Sequence, residues 1–207
     1  MKRLHLFIYV LAAAATLASC DSDDKREIPF AVSGFFTAYT NVNSHIYKVT
    51  DDMGRTYNVF EDNTELTPNT SVRIIATIEA QDGDTMITSK LFPLSEIATL
   101  DSKVQSELKV KDPVVLKSIY LGGGYLNVHL GVKVKNENSS HNILYTRSNG
   151  KKNLIFTLYH NSHNDDPIYT QNAYLSIPVW LHIHKNDTVT FRYKSFEGDR
   201  VEKFIYK

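Results

Sequence analysis

Strict two-residue alternation in the second half of the chain restricts its fold more than any other feature. Leu126, Val128, Leu130, Val132 and Val134 alternate with Asn127, His129 and Lys133. Only a strand with one buried face satisfies that period. Val189, Phe191 and Tyr193 repeat it against Thr190, Arg192 and Lys194. The same reading predicts strands over 114–121, 125–135, 141–148, 151–160, 169–177, 188–195 and 200–206. Gly122-Gly123-Gly124 and Asn149-Gly150 read as hairpin turns, the latter a two-residue type I′ loop. Seven strands with turns every eight to twelve residues predict a β-sandwich over 112–207.

The first half is also all-β. Strands are predicted over 31–39, 45–50, 55–60, 72–79 and 86–92, punctuated by Asp51-Asp52-Met53-Gly54, Thr67-Pro68-Asn69 and Gln81-Asp82-Gly83-Asp84. Val72, Ile74, Ala76 and Ile78 alternate with Arg73, Thr77 and Glu79, while Ile75 breaks the pattern and implies burial on both faces. Five strands in this length fit a small OB-type barrel over 30–93. Residues 94–111 read as a connecting segment with room for a short helix, from Ile97, Leu100, Val104 and Leu108. Asp112-Pro113 then marks the next start, because a residue before proline avoids the α region.

Ahead of both halves stands an export signal, removed as residues 1–19. Lys2 and Arg3 precede an apolar run from Leu6 to Ala15, too short for a transmembrane helix of about 20 residues. Leu17-Ala18-Ser19-Cys20 reads as a lipobox, with Cys20 the thiol that accepts lipid. Cys20 is also the single cysteine, so no internal disulfide can form. Residues 20–29 form a charged tether, Asp21-Ser22-Asp23-Asp24-Lys25-Arg26-Glu27. Acidic residues behind a lipidated cysteine resemble the surface-export signal of Bacteroidetes-type lipoproteins, which predicts an outer-membrane lipoprotein displayed at the cell surface. Cleavage takes 23 basic residues to 21 against 23 acidic ones. A near-neutral chain offers no long-range field for nucleic acid.

Three blocks carry a family likeness. The first is Asp112-Pro113-Val114, leading into Ser118-Ile119-Tyr120 and Tyr125-Leu126-Asn127-Val128. The second is Leu158-Tyr159-His160-Asn161 with Asp165-Asp166. The third runs from Phe191-Arg192-Tyr193-Lys194 through Glu197-Gly198-Asp199 to Ile205-Tyr206-Lys207. Lys48 to Tyr57 adds an acidic-glycine hairpin followed by an aromatic. With these the chain resembles the NigD-like lipoproteins. The resemblance implies an N-terminal OB-type domain, a C-terminal β-sandwich and export in a Bacteroidetes-type bacterium. The family is named for a proposed bacteriocin-immunity protein, and no catalytic residues come with it.

Candidate chemistry is sparse. His182 and His184, two apart on a strand, would stand on one face about 6–7 Å apart, and His160 with Asp165 could add ligands to a metal. The competing reading makes His182 and His184 surface residues. It makes His160 a core-edge histidine, continuing the inward face of Leu154, Phe156 and Leu158. Asn161, Asn164, Asp165 and Asp166 could hold calcium but lack the spacing of an EF-hand; Asx-type turns are the competing reading. There is no Gly-x-Ser-x-Gly elbow and no His-Glu-x-x-His. Phe35, Tyr39, Tyr47 and Tyr57 are candidate ligand-binding aromatics on the first half, where sugar suits the charge balance better than single-stranded nucleic acid; core packing is the alternative. Asp84-Thr85-Met86 and Asp187-Thr188-Val189 resemble Bacteroidetes-type O-glycosylation sites. The expectation is a non-enzymatic lipoprotein without cofactor, membrane-held through Cys20, that binds a protein or glycan partner in an immunity-like role. A glycan-binding accessory module is the alternative, and a metal-dependent hydrolase a third.

Overall fold

The structure, a computed structural model, describes residues 30–62, 64, 66–81, 84–87, 92–93 and 111–207. The export signal with Leu17, Ala18, Ser19 and Cys20, the tether, and the connecting segment up to 110 lie outside the described residues.

The described elements are all strands: β1 (Phe30–Thr40), β2 (Ile46–Asp51), β3 (Thr56–Glu61), β4 (Ser71–Gln81), β5 (Asp84–Ile87), β6 (Phe92–Pro93), β7 (Val115–Gly122), β8 (Tyr125–Val134), β9 (Asn142–Gly150), β10 (Asn153–Asn161), β11 (Tyr169–Pro178), β12 (Thr188–Ser195) and β13 (Gly198–Ile205). The first six form one sheet ordered β1-β2-β3-β5-β4-β6, in which β4 also pairs with β1. Pairing is antiparallel except between β3 and β5. Of the predicted strand over 86–92, the described residues fall in β5 and β6, which pair with β4 at Ile78–Gln81 and at Ile74–Ile75.

The alternation in β4 sends Ile74, Ala76 and Ile78 into a core with Phe36 and Ala38 from β1 and Ile46 and Val49 from β2. Cross-strand partners Phe36 and Ile74 are both fully buried. Each such side chain contributes about 1.5–3 kcal/mol of transfer free energy. The opposite face of the same strand carries Arg73, Ile75 and Thr77, and these residues meet the second half of the chain.

That second half packs a four-stranded sheet, β13-β12-β10-β9, on a three-stranded sheet, β11-β8-β7. β10 and β12 run parallel. Leu126, Val128 and Leu130 of β8 pack with Leu154, Phe156, Leu158, Val189 and Phe191 in one core, as two inward faces of a sandwich should.

Gly123 and Gly124 turn β7 into β8 with φ of 60° and 84°, the positive values a type I′ loop requires. The next hairpin corrects the sequence reading. Asn149 and Gly150 still belong to β9, Gly150 pairs with Asn153, and Lys151-Lys152 make the turn, with Lys152 at φ 57°. Moving the turn by two residues keeps every side chain on its own face, so alternation cannot separate the two registers. Tertiary contacts select one: Thr188 N–H donates to the Lys152 carbonyl at 3.0 Å, and Thr190 Oγ1 donates to Asn153 Oδ1 at 2.9 Å.

Candidate functional site

The two halves meet through a polar circuit centred on Arg73. Its position on the outward face of β4 points the guanidinium at the three-stranded sheet, where only 7% of the side chain remains exposed. Arg73 Nε donates to Ser176 Oγ at 2.9 Å, Nη1 to Thr37 Oγ1 at 3.3 Å, and Nη2 to Asn127 Oδ1 at 3.1 Å. Nη2 also pairs with the Asp52 carboxylate. The guanidinium lies over the Tyr125 ring, 4.4 Å from its centroid.

Asp52 is delivered by the β2–β3 turn. Asp51 builds that turn, accepting from the backbone N–H groups of Met53 and Arg55 at 2.9 and 2.8 Å and from Arg55 Nε at 2.7 Å. Gly54 supplies the positive φ of 82°. Asp52 at the tip then accepts from Tyr120 Oη at 2.9 Å and Asn127 Nδ2 at 2.8 Å. Its backbone carbonyl accepts from Gly123 N–H at 3.1 Å. Ser176 Oγ closes the circuit by donating to Asn127 Oδ1 at 2.6 Å. Burial, followed by the bond to Asp52 and its negative charge, pushes the Tyr120 phenol far above its ordinary value, so it stays a donor. Buried charge is tolerated where pairing and hydrogen bonding are this complete.

Beside this lock the two β-faces diverge into a cleft of 660 Å³. One wall is the outer face of the β1–β4 pair, with Ser33 opposite Thr77 and Phe35 opposite Ile75. The other is a row across β7, β8 and β11, where Ser118 pairs with His129 and His129 with Tyr174. Phe35 meets Tyr120 and Tyr174 edge-on, with centroids 6.2 and 6.1 Å away. The His129 imidazole stacks on Tyr174 at 4.4 Å, and its Nε2 bonds to Asn172 Oδ1 at 3.2 Å.

The candidate aromatics do not converge. Phe35 lies in the cleft wall. Tyr57 packs edge-on against core Phe36 at 6.4 Å, with its hydroxyl 3.4 Å from Asp51. Tyr39 holds the Lys48 ammonium 4.1 Å from its ring centre, and Tyr47 is half exposed beside the same lysine. Sequence reasoning missed Tyr120, Asn127, Tyr174 and Ser176; the one signal for the junction was Ile75, apolar on a polar face.

The candidate ligating residues fall in separate places, with His160 and Asp165 joined through His141. His182 and His184 are not on a strand, because β11 ends at Pro178. Val179 N–H then bonds to the Gly124 carbonyl, and His182 N–H turns back to Val179. His182 contacts the Arg147 guanidinium, whereas His184 is exposed, 3.9 Å from Asp187. His160 is buried on the inward face of β10. Its Nε2 lies 3.0 Å from His141 Nδ1, and His141 Nε2 lies 3.2 Å from Asp165 Oδ2. Assigning the proton on His141 Nε2 to the carboxylate makes His160 the donor to His141, leaving His160 Nδ1 without a hydrogen-bond partner. Burial, then the neighbouring His141, pushes the His160 pKa below its ordinary value. Asp165 is held down at about 2, by the Ser139 hydroxyl and then the Lys135 N–H. Asn161 Oδ1 accepts from His163 N–H at 2.9 Å as an Asx turn. Among the described residues no three His, Cys, Asp or Glu side chains are grouped to hold a metal ion.

The sequence profile described as NigD-like C-terminal beta sandwich domain matches residues 96–206. No curated protein matches the chain. Among solved structures, a NigD-like immunity protein from Bacteroides caccae superposes with a TM-score of 0.71 at 24% identity, covering 87% of this chain and 99% of that one. A candidate toxin-related protein from Parabacteroides distasonis gives 0.65 at 17% identity, over 86% and 94% of the two chains. A candidate lipoprotein from Bacteroides fragilis gives 0.60 at 12% identity, over 86% and 99%. These likenesses establish a shared fold. With more than half of its length matching the profile, the chain belongs to the NigD-like family.

Proposed function

We propose that this chain is a non-enzymatic lipoprotein of the bacterial envelope that acts by binding, in an immunity-like role, capturing or masking a protein toxin outside the cell. The observation that carries the reading is the Arg73 circuit. It fixes two β-domains as one body, so a composite face is preformed and little ordering entropy opposes association. The Bacteroides caccae protein of the same fold is an immunity protein, and the Bacteroides fragilis one a candidate lipoprotein. Both relations support the reading. Lipid on Cys20 and the acidic tether would place the body at the cell surface. Residues 30–93 would form an OB-type domain, a reading supported by β4 pairing with β1 as well as with β5. Residues 112–207 would form the seven-stranded sandwich.

Radiolabelled palmitate and external protease test the placement. Wild-type chain should take up label and be cleaved on intact cells, and Cys20→Ala should do neither. Label on the Cys20→Ala chain, or complete protection of the wild type, would contradict it. Titrating the purified full chain with bacteriocins secreted by strains of the same species tests the binding. Saturable binding of at least one is expected; binding of none would remove the toxin-capture reading.

A further inference from the structure

We propose that the cleft between the two halves is a binding site for a neutral carbohydrate. The proposal rests on the reading that the chain acts by binding, and it is independent of any role in immunity. Four observations carry it. First, among the described residues no lysine, arginine, aspartate or glutamate lines the cleft. Arg73, Asp52 and Lys117 lie next to it, but Arg73 and Asp52 are committed to each other and to Asn127, Ser176 and Tyr120, and Lys117 to Asn172. An ionic ligand would find no counter-charge there, and burying it unpaired is costly.

Second, both walls present an aromatic ring: Phe35 on the β1–β4 side, Tyr174 on the β8–β11 side. The two rings touch edge-on, with Phe35 only 6% exposed, and the exposed Tyr120 and half-buried Tyr174 supply the aromatic surface at the cleft. The C–H face of a sugar ring suits such surfaces. Third, hydroxyl and imidazole groups flank the rings. Ser33 and Thr77 share a 2.6 Å bond on one wall; Ser118 and His129 are cross-strand neighbours on the other. Hydroxyls both donate and accept, and an imidazole whose Nε2 donates to Asn172 keeps Nδ1 as an acceptor. These groups match a ligand made of hydroxyls.

Fourth, the cleft has the size of a ligand site. The 660 Å³ volume falls in the range of about 300–1,000 Å³ usual for ligand sites.

The test is calorimetry on the full-length chain in a detergent without a sugar head group. The probes are maltoheptaose, cellohexaose, mannohexaose and xylohexaose, with heparin as the anionic comparison and a library of uncharged decapeptides. At least one neutral oligosaccharide should bind with a submillimolar Kd. Tyr174→Ala should weaken it by about tenfold or more, the equivalent of roughly 1.4 kcal/mol. Ser118→Trp, a substitution at an exposed position that fills the cleft, should abolish binding without unfolding the chain. Tyr47→Ala, on another face, should leave it unchanged. No sugar binding at millimolar ligand, binding of heparin or peptides alone, or equal effects of Tyr47→Ala and Ser118→Trp would overturn the proposal. A silent sugar panel from a chain that still binds a bacteriocin refutes the carbohydrate assignment alone. A chain that binds neither removes both readings.

Discussion

Replacing Arg73 by methionine removes a charge at the junction while keeping most of the aliphatic volume. The consequence can be worked from the contacts. Asp52 would remain with 11% of its side chain exposed, keeping the Tyr120 and Asn127 donors but losing its counter-ion. Breaking a buried ion pair by removing one partner costs about 3–5 kcal/mol. For a chain of this size each kcal/mol lowers Tm by about 2–4 °C, so Arg73→Met should melt roughly 6–20 °C below wild type. Arg73→Met combined with Asp52→Asn removes both charges and leaves the Tyr120 and Asn127 bonds a neutral acceptor. It should therefore be more stable than Arg73→Met alone, with a coupling of about 0.5–3 kcal/mol across the cycle. Thermal unfolding by circular dichroism of all four chains reads this directly. A Tm for Arg73→Met within a degree of wild type, or strictly additive effects, would refute the claim that this circuit locks the halves together.

Gly123→Ala forces a side chain into a φ of 60° and sets its Cβ 2.7 Å from Asp52 Oδ1; the left-handed conformation alone costs about 1–2 kcal/mol, and urea titration should show a loss at least that large. Phe156→Ala, at a fully buried sandwich position, should cost about 3–5 kcal/mol in the same assay. His160 has a folded pKa depressed below its unfolded value, so its contribution is complete above about pH 6.5 and is lost as pH falls from there through the folded value. His160→Gln should flatten that part of the stability–pH curve, and an unchanged slope would count against a buried neutral imidazole.

Much of the fold was legible because burial on one face leaves a period-two imprint. β8, β10 and β12 carry it cleanly, and the bounds of β8 and β12 follow. The β9–β10 turn was misplaced because a two-residue slip preserves that imprint, and only contacts with Thr188 and Thr190 choose between the registers. The junction was nearly invisible. Asn127 sits where the pattern asks for a polar residue, and nothing local announces that it is fully buried beneath an arginine 54 positions earlier. Ile75 alone broke the pattern, and it lines the cleft. Aromatic density misled for a related reason: Phe35 and Tyr57 are both rings on first-half strands, yet one faces the second half and the other faces the first-half core.

If the chain protects the cell by binding outside it, killing curves should depend on the gene and on Cys20. Cells lacking the gene, cells carrying it and cells carrying Cys20→Ala would be exposed to bacteriocins secreted by strains of the same species. Deletion should raise sensitivity to at least one of them, wild type should restore resistance and Cys20→Ala should not. Identical killing curves for the deleted and complemented cells across the whole set would contradict this protective role.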